Sequence, residues 1–219
     1  MHPRAYIFDL DGTLVDSLRD IADALNRALA DHGLPSAPLD RVRGWVGGGL
    51  RTLCQRACEP AAPDIIERVI ASAEMHYRER VVVHTRLYPN IMQMLDLLKE
   101  RGAKLAVLSN KPHALTVEVI HQLGIAPFFA EVRGPVSELE RKPAPDGALA
   151  ILGRLGVPAH DAFMVGDSSI DIETARNAGM ISVGVSWGFR PVEEILAAGA
   201  DFLVSDPLEI ISLEPKKSR

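Results

Sequence analysis

The sequence predicts an α/β protein with a doubly wound, mostly parallel sheet and an inserted α-helical cap domain. Five short apolar runs in the second half each follow a helical stretch that ends in glycine. Glycine favours the left-handed conformation that ends many helices. The runs lack strict alternation, which is typical of strands that are covered on both faces. Helices that alternate with such strands indicate a doubly wound sheet.

The predicted strands begin with the apolar run from Ala5 to Leu10. Later strands are expected at 104–109, 130–133, 162–165, 181–185 and 201–204. The helices between them are amphipathic, with apolar residues at helical spacing in two clear cases: Ile91, Met94, Leu95 and Leu98, and Ala148, Ile151, Leu152 and Leu155. Pro112 and Pro145 stand where two helices should begin.

Residues 16–86 differ, because they contain helical stripes and no convincing strand. One stripe is formed by Leu18, Ile21, Ala22, Leu25, Ala28 and Leu29, and another by Ile66, Val69, Ile70, Ala73 and Tyr77. Ser17 with Asp20 resembles a capping box at the start of the first helix. The predicted domains are therefore an α/β core of residues 1–15 and 87–219 and a helical cap of residues 16–86.

Composition excludes several classes of function. The 219 residues carry 24 basic and 29 acidic side chains, a net charge of −5, and no basic cluster, so no nucleic acid partner is expected. The sequence contains no run of about 18 apolar residues, so no membrane span is predicted. The apolar run that follows Arg4 leaves no room for a signal peptide, so a cytoplasmic location is expected. Both a monomer and a homodimer remain open.

The end of the first predicted strand carries two acids, Asp9 and Asp11, followed by Gly12 and Thr13. Ligands of open parallel sheets bind beyond the carboxyl ends of the strands. Acids at that place repel each other, and they fit either around a cation or as a nucleophile beside a general acid. The glycine turn offers backbone N–H groups to an anion. An acidic loop with a turn glycine is the alternative.

Three later strand ends also carry polar residues. Ser109 and Asn110 follow one strand, Lys142 follows the next, and Asp167 and Asp171 follow a third. Each signal alone has an ordinary explanation as a turn, a surface lysine or a helix cap. Together they predict one site in which Ser109, Asn110 and Lys142 bind phosphate oxygens. The carboxylates suit Mg²⁺, which prefers oxygen ligands.

These residues resemble the motifs of the haloacid dehalogenase superfamily of phosphohydrolases. The first motif is Asp9-x-Asp11-Gly12-Thr13, the second Ser109, the third Lys142 and the fourth Gly166-Asp167-x-x-x-Asp171. The resemblance implies a Rossmann-like core, with residues 16–86 as the cap that follows the first motif. Within the family, the sequence is most similar to the phosphoglycolate phosphatase-like group. The similarity lies in Asp16-Ser17, residues 46–49, Tyr88-Pro89 and residues 110–112. Ser109 stands where threonine is common in that group.

The resemblance implies covalent phosphoryl transfer. Asp9 is the expected nucleophile, Asp11 the general acid and base, and Ser109 and Lys142 the residues that hold the phosphoryl group. Mg²⁺ is expected on Asp9, the Asp11 backbone carbonyl and Asp167, with Asp171 acting through water. Dehalogenases of the family lack the second acid of the first motif, and phosphonatases use a cap lysine, which residues 16–86 lack. Related phosphomutases carry Glu-Asp where this chain has Gly166-Asp167. Of the activities of the family, phosphomonoester hydrolysis is therefore the one that the sequence predicts.

The cap should select the substrate, because it closes over the leaving group. A glycine run, Gly47 to Gly49, precedes a predicted helix and can bind an anion through backbone N–H groups. The predicted substrate-binding residues are Gly12, Thr13, Asn110, Gly48, Gly49 and Arg51, with Arg43 also near. A flexible elbow with solvated arginines is the alternative, and the loop 187–190 either borders the site or only packs on the core.

The substrate class is a small phosphate ester. Phosphoglycolate, another sugar phosphate, a nucleoside monophosphate and pyrophosphate all remain open. A non-catalytic binding protein on the same fold is the alternative from another class.

Overall fold

A computed structural model describes residues 4–137 and 140–214. The strands in this part of the chain are β1 (Ala5–Phe8), β2 (Val15–Asp16), β3 (Arg86–Leu87), β4 (Lys104–Leu108), β5 (Glu131–Arg133), β6 (Ala162–Gly166), β7 (Ile181–Val185) and β8 (Phe202–Val204). Six of them form one sheet in the order β5-β4-β1-β6-β7-β8. Every pair of neighbours in this sheet is parallel, which confirms the predicted fold class.

The helices of the core lie on both faces of the sheet. They are α5 (Ile91–Glu100), α6 (His113–Gln122), α7 (Asp146–Leu155), α8 (Ser169–Ala178) and α9 (Val192–Ala197), numbered after four helices of the insert. Short 3₁₀ turns occur at Ala126–Phe128, Ala159–Asp161 and Pro207–Ser212. The predicted prolines, Pro112 and Pro145, stand directly before α6 and α7.

Alternate residues of β1 enter two different hydrophobic clusters. Tyr6 and Phe8 pack with α5 and α6, whereas Ala5 and Ile7 pack with α7 and α8. This alternation follows from the twofold period of a strand. All four residues are buried, so the strand is apolar throughout, as a strand covered on both faces must be.

The insert consists of α1 (Leu18–Asp31), α2 (Leu39–Trp45), α3 (Gly49–Cys58) and α4 (Pro63–Glu79). The chain leaves the core on β2 and returns on β3, and these two strands pair antiparallel, with Asp16 opposite Arg86. α1 packs mainly against α4. The division into core and cap at 16 and 86 stays a prediction that this arrangement favours. None of the helices in the described ranges is long and apolar enough to cross a membrane.

The predicted capping box of α1 is wrong. Ser17 is the N-cap residue, but its side chain makes no capping hydrogen bond. Its hydroxyl instead donates to Asp11 Oδ1 at 2.5 Å. The carboxylate of Asp20 accepts from the backbone N–H groups of residues 83–85, far along the chain. Tertiary contacts therefore use both side chains that the local pattern assigned to the helix start.

Candidate active site

The carboxyl ends of the three central strands bring the predicted acids together. Phe8 of β1 pairs with Val107 of β4 and with Val165 of β6, so these strands end at the same level. Asp9, Ser109 and Asp167 consequently emerge at one edge of the sheet, and all three are buried. Carboxylate oxygens of Asp9, Asp167 and Asp171 lie within 4.8 Å of one another.

Lys142 stands between two of these acids. Its Nζ lies 2.8 Å from Asp9 Oδ1 and 2.6 Å from Asp171 Oδ1. The second oxygen of Asp171 accepts from the hydroxyl of Ser168 at 2.7 Å and from its backbone N–H at 3.2 Å. Both oxygens of Asp171 thus have protein donors, and Asp171 fixes the position of Lys142.

The three buried acids carry more negative charge than the single ammonium of Lys142 can neutralise. Burial raises the pKa of Asp9 to about 7, although Lys142 lowers it, while Asp171 and Asp11 raise it further. Burial also raises the pKa of Asp167 well above its ordinary value, and the charges of Asp171 and Asp9 add to this effect. Burial alone would lower the pKa of Lys142, but Asp171 and Asp9 raise it. A divalent cation would relieve this repulsion, and the oxygen-only donor set fits Mg²⁺.

Asp167 is held in a narrow space. Its Oδ2 accepts a 2.7 Å hydrogen bond from the backbone N–H of Phe189. A Cβ atom at Gly12 would lie 2.3 Å from Asp167 Oδ2, and one at Gly188 would lie 2.3 Å from Asp167 Cβ. Gly12 also has a φ of +89°, which disfavours other residues. Two loops therefore close on this carboxylate.

The loop 187–190 borders the site and also packs on the core. Trp187 Nε1 donates to the Thr13 carbonyl at 2.9 Å, and Phe189 binds Asp167 as described. Phe189 also belongs to the hydrophobic core. The loop thus has a role in packing and a role at the site.

Predicted phosphate-binding residues surround the same acids. The hydroxyl of Thr13 is buried and has no hydrogen-bond partner in the structure. Ser109 Oγ accepts from the backbone N–H of Lys111 at 3.2 Å. Asn110 joins two loops, since its Oδ1 accepts from the Lys142 N–H at 2.8 Å and its Nδ2 donates to the Lys142 carbonyl at 3.1 Å. These contacts make Asn110 a brace for Lys142.

Lys111 is the main residue that sequence reasoning missed. Its Nζ lies 2.9 Å and 2.7 Å from the two carboxylate oxygens of Asp11. The sequence singled it out only as part of residues 110–112. A lysine directly after a polar strand end, in a chain with few lysines, was the available signal. Burial alone would lower the pKa of Lys111, but Asp11 raises it above its usual value.

Side chains of the core bind the glycine run of the insert through its carbonyls. Arg190 donates to the Gly44 carbonyl at 2.5 Å and to the Val46 carbonyl at 2.6 Å. The neighbouring carbonyls accept from Asn110 Nδ2 (Gly47, 2.9 Å) and from Arg141 Nη1 (Gly48, 3.1 Å). Gly49 has a φ of +85°, and a Cβ there would lie 3.0 Å from the Asn110 carbonyl. The glycine run therefore packs closely against the core and is not a free elbow.

Arg51 has a different environment from the one expected. Its guanidinium forms a bidentate ion pair with Glu67 of α4, in which Nη1 contacts Oε1 and Nη2 lies 2.9 Å from Oε2. Both side chains are substantially exposed. The prediction that Arg51 binds substrate stays a prediction, but its contacts tie α3 to α4. Arg43 is exposed, and its charge lowers the pKa of Tyr88, whose pKa burial raises.

A partly open cavity lies between the insert and the core. Its wall is mainly apolar and comes from α1, α3 and α4, together with Val46 and Gly47. Lys111, Pro112 and Leu115 close it from the core side. Lys111 is the only charged residue among the described residues that line it, whereas Gly48 and Arg51 do not line it. The pair of Asp11 and Lys111 thus connects this cavity to the acidic site.

The parallel sheet, the three acids at its edge and the helical insert after the first strand define a class of hydrolase. A family model described as haloacid dehalogenase-like hydrolase matches residues 6–185, and the chain belongs to this family. Within it the chain is a phosphoric monoester hydrolase of the phosphoglycolate phosphatase-like group.

Named relatives resemble the chain over nearly its whole length. Phosphoglycolate phosphatase of Aquifex aeolicus is 35% identical over 210 residues, which cover 96% of each chain. The enzyme of the same name from Haemophilus influenzae strain KW20 is 35% identical over 214 residues, covering 94% of this chain and 96% of that one. A crystal structure of a predicted phosphoglycolate phosphatase from Haemophilus somnus has a TM-score of 0.90 at 33% identity, covering 96% and 97% of the two chains.

Proposed function

We propose that the chain is a Mg²⁺-dependent phosphatase that hydrolyses a small phosphomonoester, phosphoglycolate or a close analogue, through an aspartyl-phosphate on Asp9. The observation that carries the proposal is the position of Lys142 between Asp9 and Asp171, beside the buried Asp167. The shared name of the relatives supports phosphoglycolate as the substrate.

Asp9 is the proposed nucleophile because it directly follows β1 and lies beside Lys142 and the other acids. Its oxygen attacks phosphorus, an O–P bond to Asp9 forms, and the bond from phosphorus to the leaving alkoxide breaks. Water then attacks the same phosphorus, and the bond between Asp9 and phosphorus breaks to release phosphate. The Lys142 ammonium, already 2.8 Å from Asp9, orients the carboxylate and offers charge to the phosphoryl oxygens.

The remaining phosphoryl contacts come from hydroxyl groups. Thr13 Oγ1 is buried without a partner, so a phosphoryl oxygen would satisfy it. Ser109 Oγ accepts from Lys111 N–H, which leaves its own proton for donation. Backbone N–H groups of the turn at Gly12 and Thr13 would add further donors.

Asp9, Asp167 and the backbone carbonyl of Asp11 would hold Mg²⁺, with Asp171 acting through water. Both oxygens of Asp171 already have protein donors, which agrees with an indirect role. The bound cation would neutralise negative charge so that a carboxylate can approach a phosphate.

Asp11 is the proposed general acid and base. It gives a proton to the leaving oxygen in the first step and accepts one from the attacking water in the second. Ser17 and Lys111 hold its carboxylate in the structure. Asp11 must therefore loosen its contact with Lys111 to reach a leaving group.

Other sugar phosphates, nucleoside monophosphates and pyrophosphate are the alternative substrates. A non-catalytic binding protein on the same fold is disfavoured, because the residues proposed for catalysis and metal binding are all present: Asp9, Asp11, Lys142 and Asp167. A cytoplasmic location and a monomeric or homodimeric state stay predictions.

Phosphate release over a panel of these substrates with Mg²⁺ tests the proposal, with Asp9→Asn as the matched inactive control. We expect the highest kcat/KM for phosphoglycolate or a similarly small ester. Release of phosphate from none of the esters, or equal release by Asp9→Asn, would refute the phosphatase proposal. A clear preference for a nucleotide or for pyrophosphate would refute only the substrate.

A further inference from the structure

We propose that Lys111 and Tyr77 form a receptor for a carboxylate of the substrate, and that this carboxylate replaces Asp11 on Lys111. The inference deepens the proposed function and rests on it, because it explains which phosphomonoesters the site selects. It names two residues, one in the core and one in the cap, that bind the leaving group and not the phosphoryl group.

Lys111 is fixed where the acidic site meets the cavity. It is 7% exposed and follows Ser109 and Asn110 at the end of β4. Its N–H donates to Ser109 Oγ at 3.2 Å, and its carbonyl accepts from Thr116 Oγ1 at 3.1 Å. The backbone is therefore anchored to the sheet and to α6, while the side chain reaches Asp11 and the cavity.

Tyr77 is the second half of the receptor. It lies on α4, is 5% exposed and lines the same cavity. The ammonium of Lys111 lies 4.6 Å from the centre of its ring, a distance that permits a cation–π contact. Its hydroxyl is buried, and its oxygen interacts with the Lys111 ammonium, but no acceptor takes its proton. A buried hydroxyl proton without an acceptor is costly, so a ligand that accepts it would be stabilised there.

The charge balance at Lys111 selects the ligand. Asp11 is the partner of this buried ammonium, and a buried cation that loses its partner is strongly destabilised. An uncharged leaving group would leave Lys111 unpaired whenever Asp11 turns toward the leaving oxygen. A leaving group with its own carboxylate supplies the replacement, so Asp11 is released only when the correct substrate is bound.

The rest of the cavity limits the charge that the substrate can carry. Its other lining residues are mainly apolar and offer no further charge among the described residues. One carboxylate close to the phosphate ester therefore fits the receptor, whereas a second charged group farther away has no partner. Phosphoglycolate has this chemistry, and 2-hydroxyethyl phosphate is its matched neutral analogue, with an alcohol in place of the carboxylate.

The test compares kcat/KM for these two substrates in the wild type, Lys111→Met and Tyr77→Phe. We expect Lys111→Met to lower the preference for phosphoglycolate by about ten- to a hundredfold, as for the loss of a charge-assisted hydrogen bond. Tyr77→Phe should lower the same ratio by about fivefold. Lys99→Met is the matched control, because Lys99 also lies over a ring, that of Phe128, but away from the site. It should leave the ratio unchanged.

Equal losses on both substrates in Lys111→Met would overturn the receptor, since Lys111 would then act only on Asp11. The affinity of each ligand for Asp9→Asn, measured by calorimetry with and without Lys111→Met, gives the same ratio without turnover. Equal affinities of the two ligands would also overturn the receptor. If the wild type hydrolyses neither ester, the proposed substrate is wrong, and the affinity ratio still decides the role of Lys111.

Discussion

Asp20 Oδ2 accepts a 2.7 Å hydrogen bond from the hydroxyl of Thr85, which lies 65 residues farther along the chain. The same carboxylate accepts from the backbone N–H groups of Val83, His84 and Thr85. Burial alone would raise the pKa of Asp20, but the hydrogen bonds from Thr85, Val83 and His84 together lower it. The first turn of α1 is thereby joined to the segment that returns to the core.

Asp20→Asn should destabilise the fold by about 1–3 kcal/mol at neutral pH, because an amide cannot accept all these bonds with both of its polar atoms. The lowered folded-state pKa means that the contribution is complete above the unfolded value of about 3.9 and is lost as the pH falls through the folded value. Urea unfolding of wild type and variant at neutral and acidic pH measures this difference.

The control for Asp20 is Asp23→Asn, on the same helix. Asp23 is exposed and lies 3.9 Å from His84 Nε2. Its replacement should change stability by less than about 0.5 kcal/mol. A stability difference for Asp20→Asn that stays constant down to pH 3 would argue against the proposed role of its carboxylate.

Asp9→Asn should lower kcat by about 10⁴-fold or more, because an amide cannot form the acyl phosphate. The fold should persist, since Lys142 keeps its contact with Asp171. Phosphate release and a thermal melt check the two statements. Retention of more than a trace of turnover in a Mg²⁺-loaded variant would exclude covalent catalysis by Asp9.

Removal of metal with EDTA should abolish activity, and added Mg²⁺ should restore it. Asp167→Asn should raise the Mg²⁺ concentration for half-maximal activity by about tenfold or more, because it replaces an anionic carboxylate ligand with a neutral amide. Asp96→Asn, at an exposed position of α5, is the control and should not change this concentration. Full activity in chelator would contradict the metal assignment.

Arg51→Ala decides between the sequence-based expectation and the receptor at Lys111. If Arg51 binds the substrate carboxylate, its loss should lower kcat/KM for phosphoglycolate by about ten- to a hundredfold and spare p-nitrophenyl phosphate. The ion pair with Glu67 favours another result, in which both substrates change alike and only slightly. Glu67→Ala should reproduce that result. A selective loss in Arg51→Ala alone would restore the original expectation.

Arg190→Ala should loosen the contact between the helical insert and the core, since it removes the bonds to the Gly44 and Val46 carbonyls. We expect faster amide hydrogen exchange in residues 44–53 and an increase in KM, with the core strands unchanged. Arg154→Ala is the matched control, because this arginine pairs with Glu131 on the outside of the core. Unchanged exchange in Arg190→Ala would mean that other contacts hold the glycine run.

The six strands of the parallel sheet and the clustering of acids at its edge could be predicted from the sequence because their signals are local, whereas the two-residue strands β2 and β3 were not predicted. A parallel strand is an apolar run, and the residue that follows it lies at the sheet edge, as Asp9 and Asp167 do. The roles of Lys111, Tyr77 and Asp20 could not be predicted in this way. The roles of Lys111 and Tyr77 depend on how the insert packs on the core, and the role of Asp20 depends on how residues 83–85 pack against α1. Neither periodicity nor spacing records such packing. The same packing explains why Ser17 serves Asp11 and not its helix.

The paired strands β2 and β3 have a consequence for how such enzymes diversify. The chain leaves the core at Asp16 and returns at Arg86, directly opposite. Whatever lies between these two residues begins and ends at one point, so its length and sequence place no strain on the sheet. We expect residues 18–85 to be exchangeable as a unit, with Ser17 retained because its hydroxyl holds Asp11. Evolution, or a protein engineer, can then change the alcohol that the enzyme accepts and retain the phosphate chemistry intact.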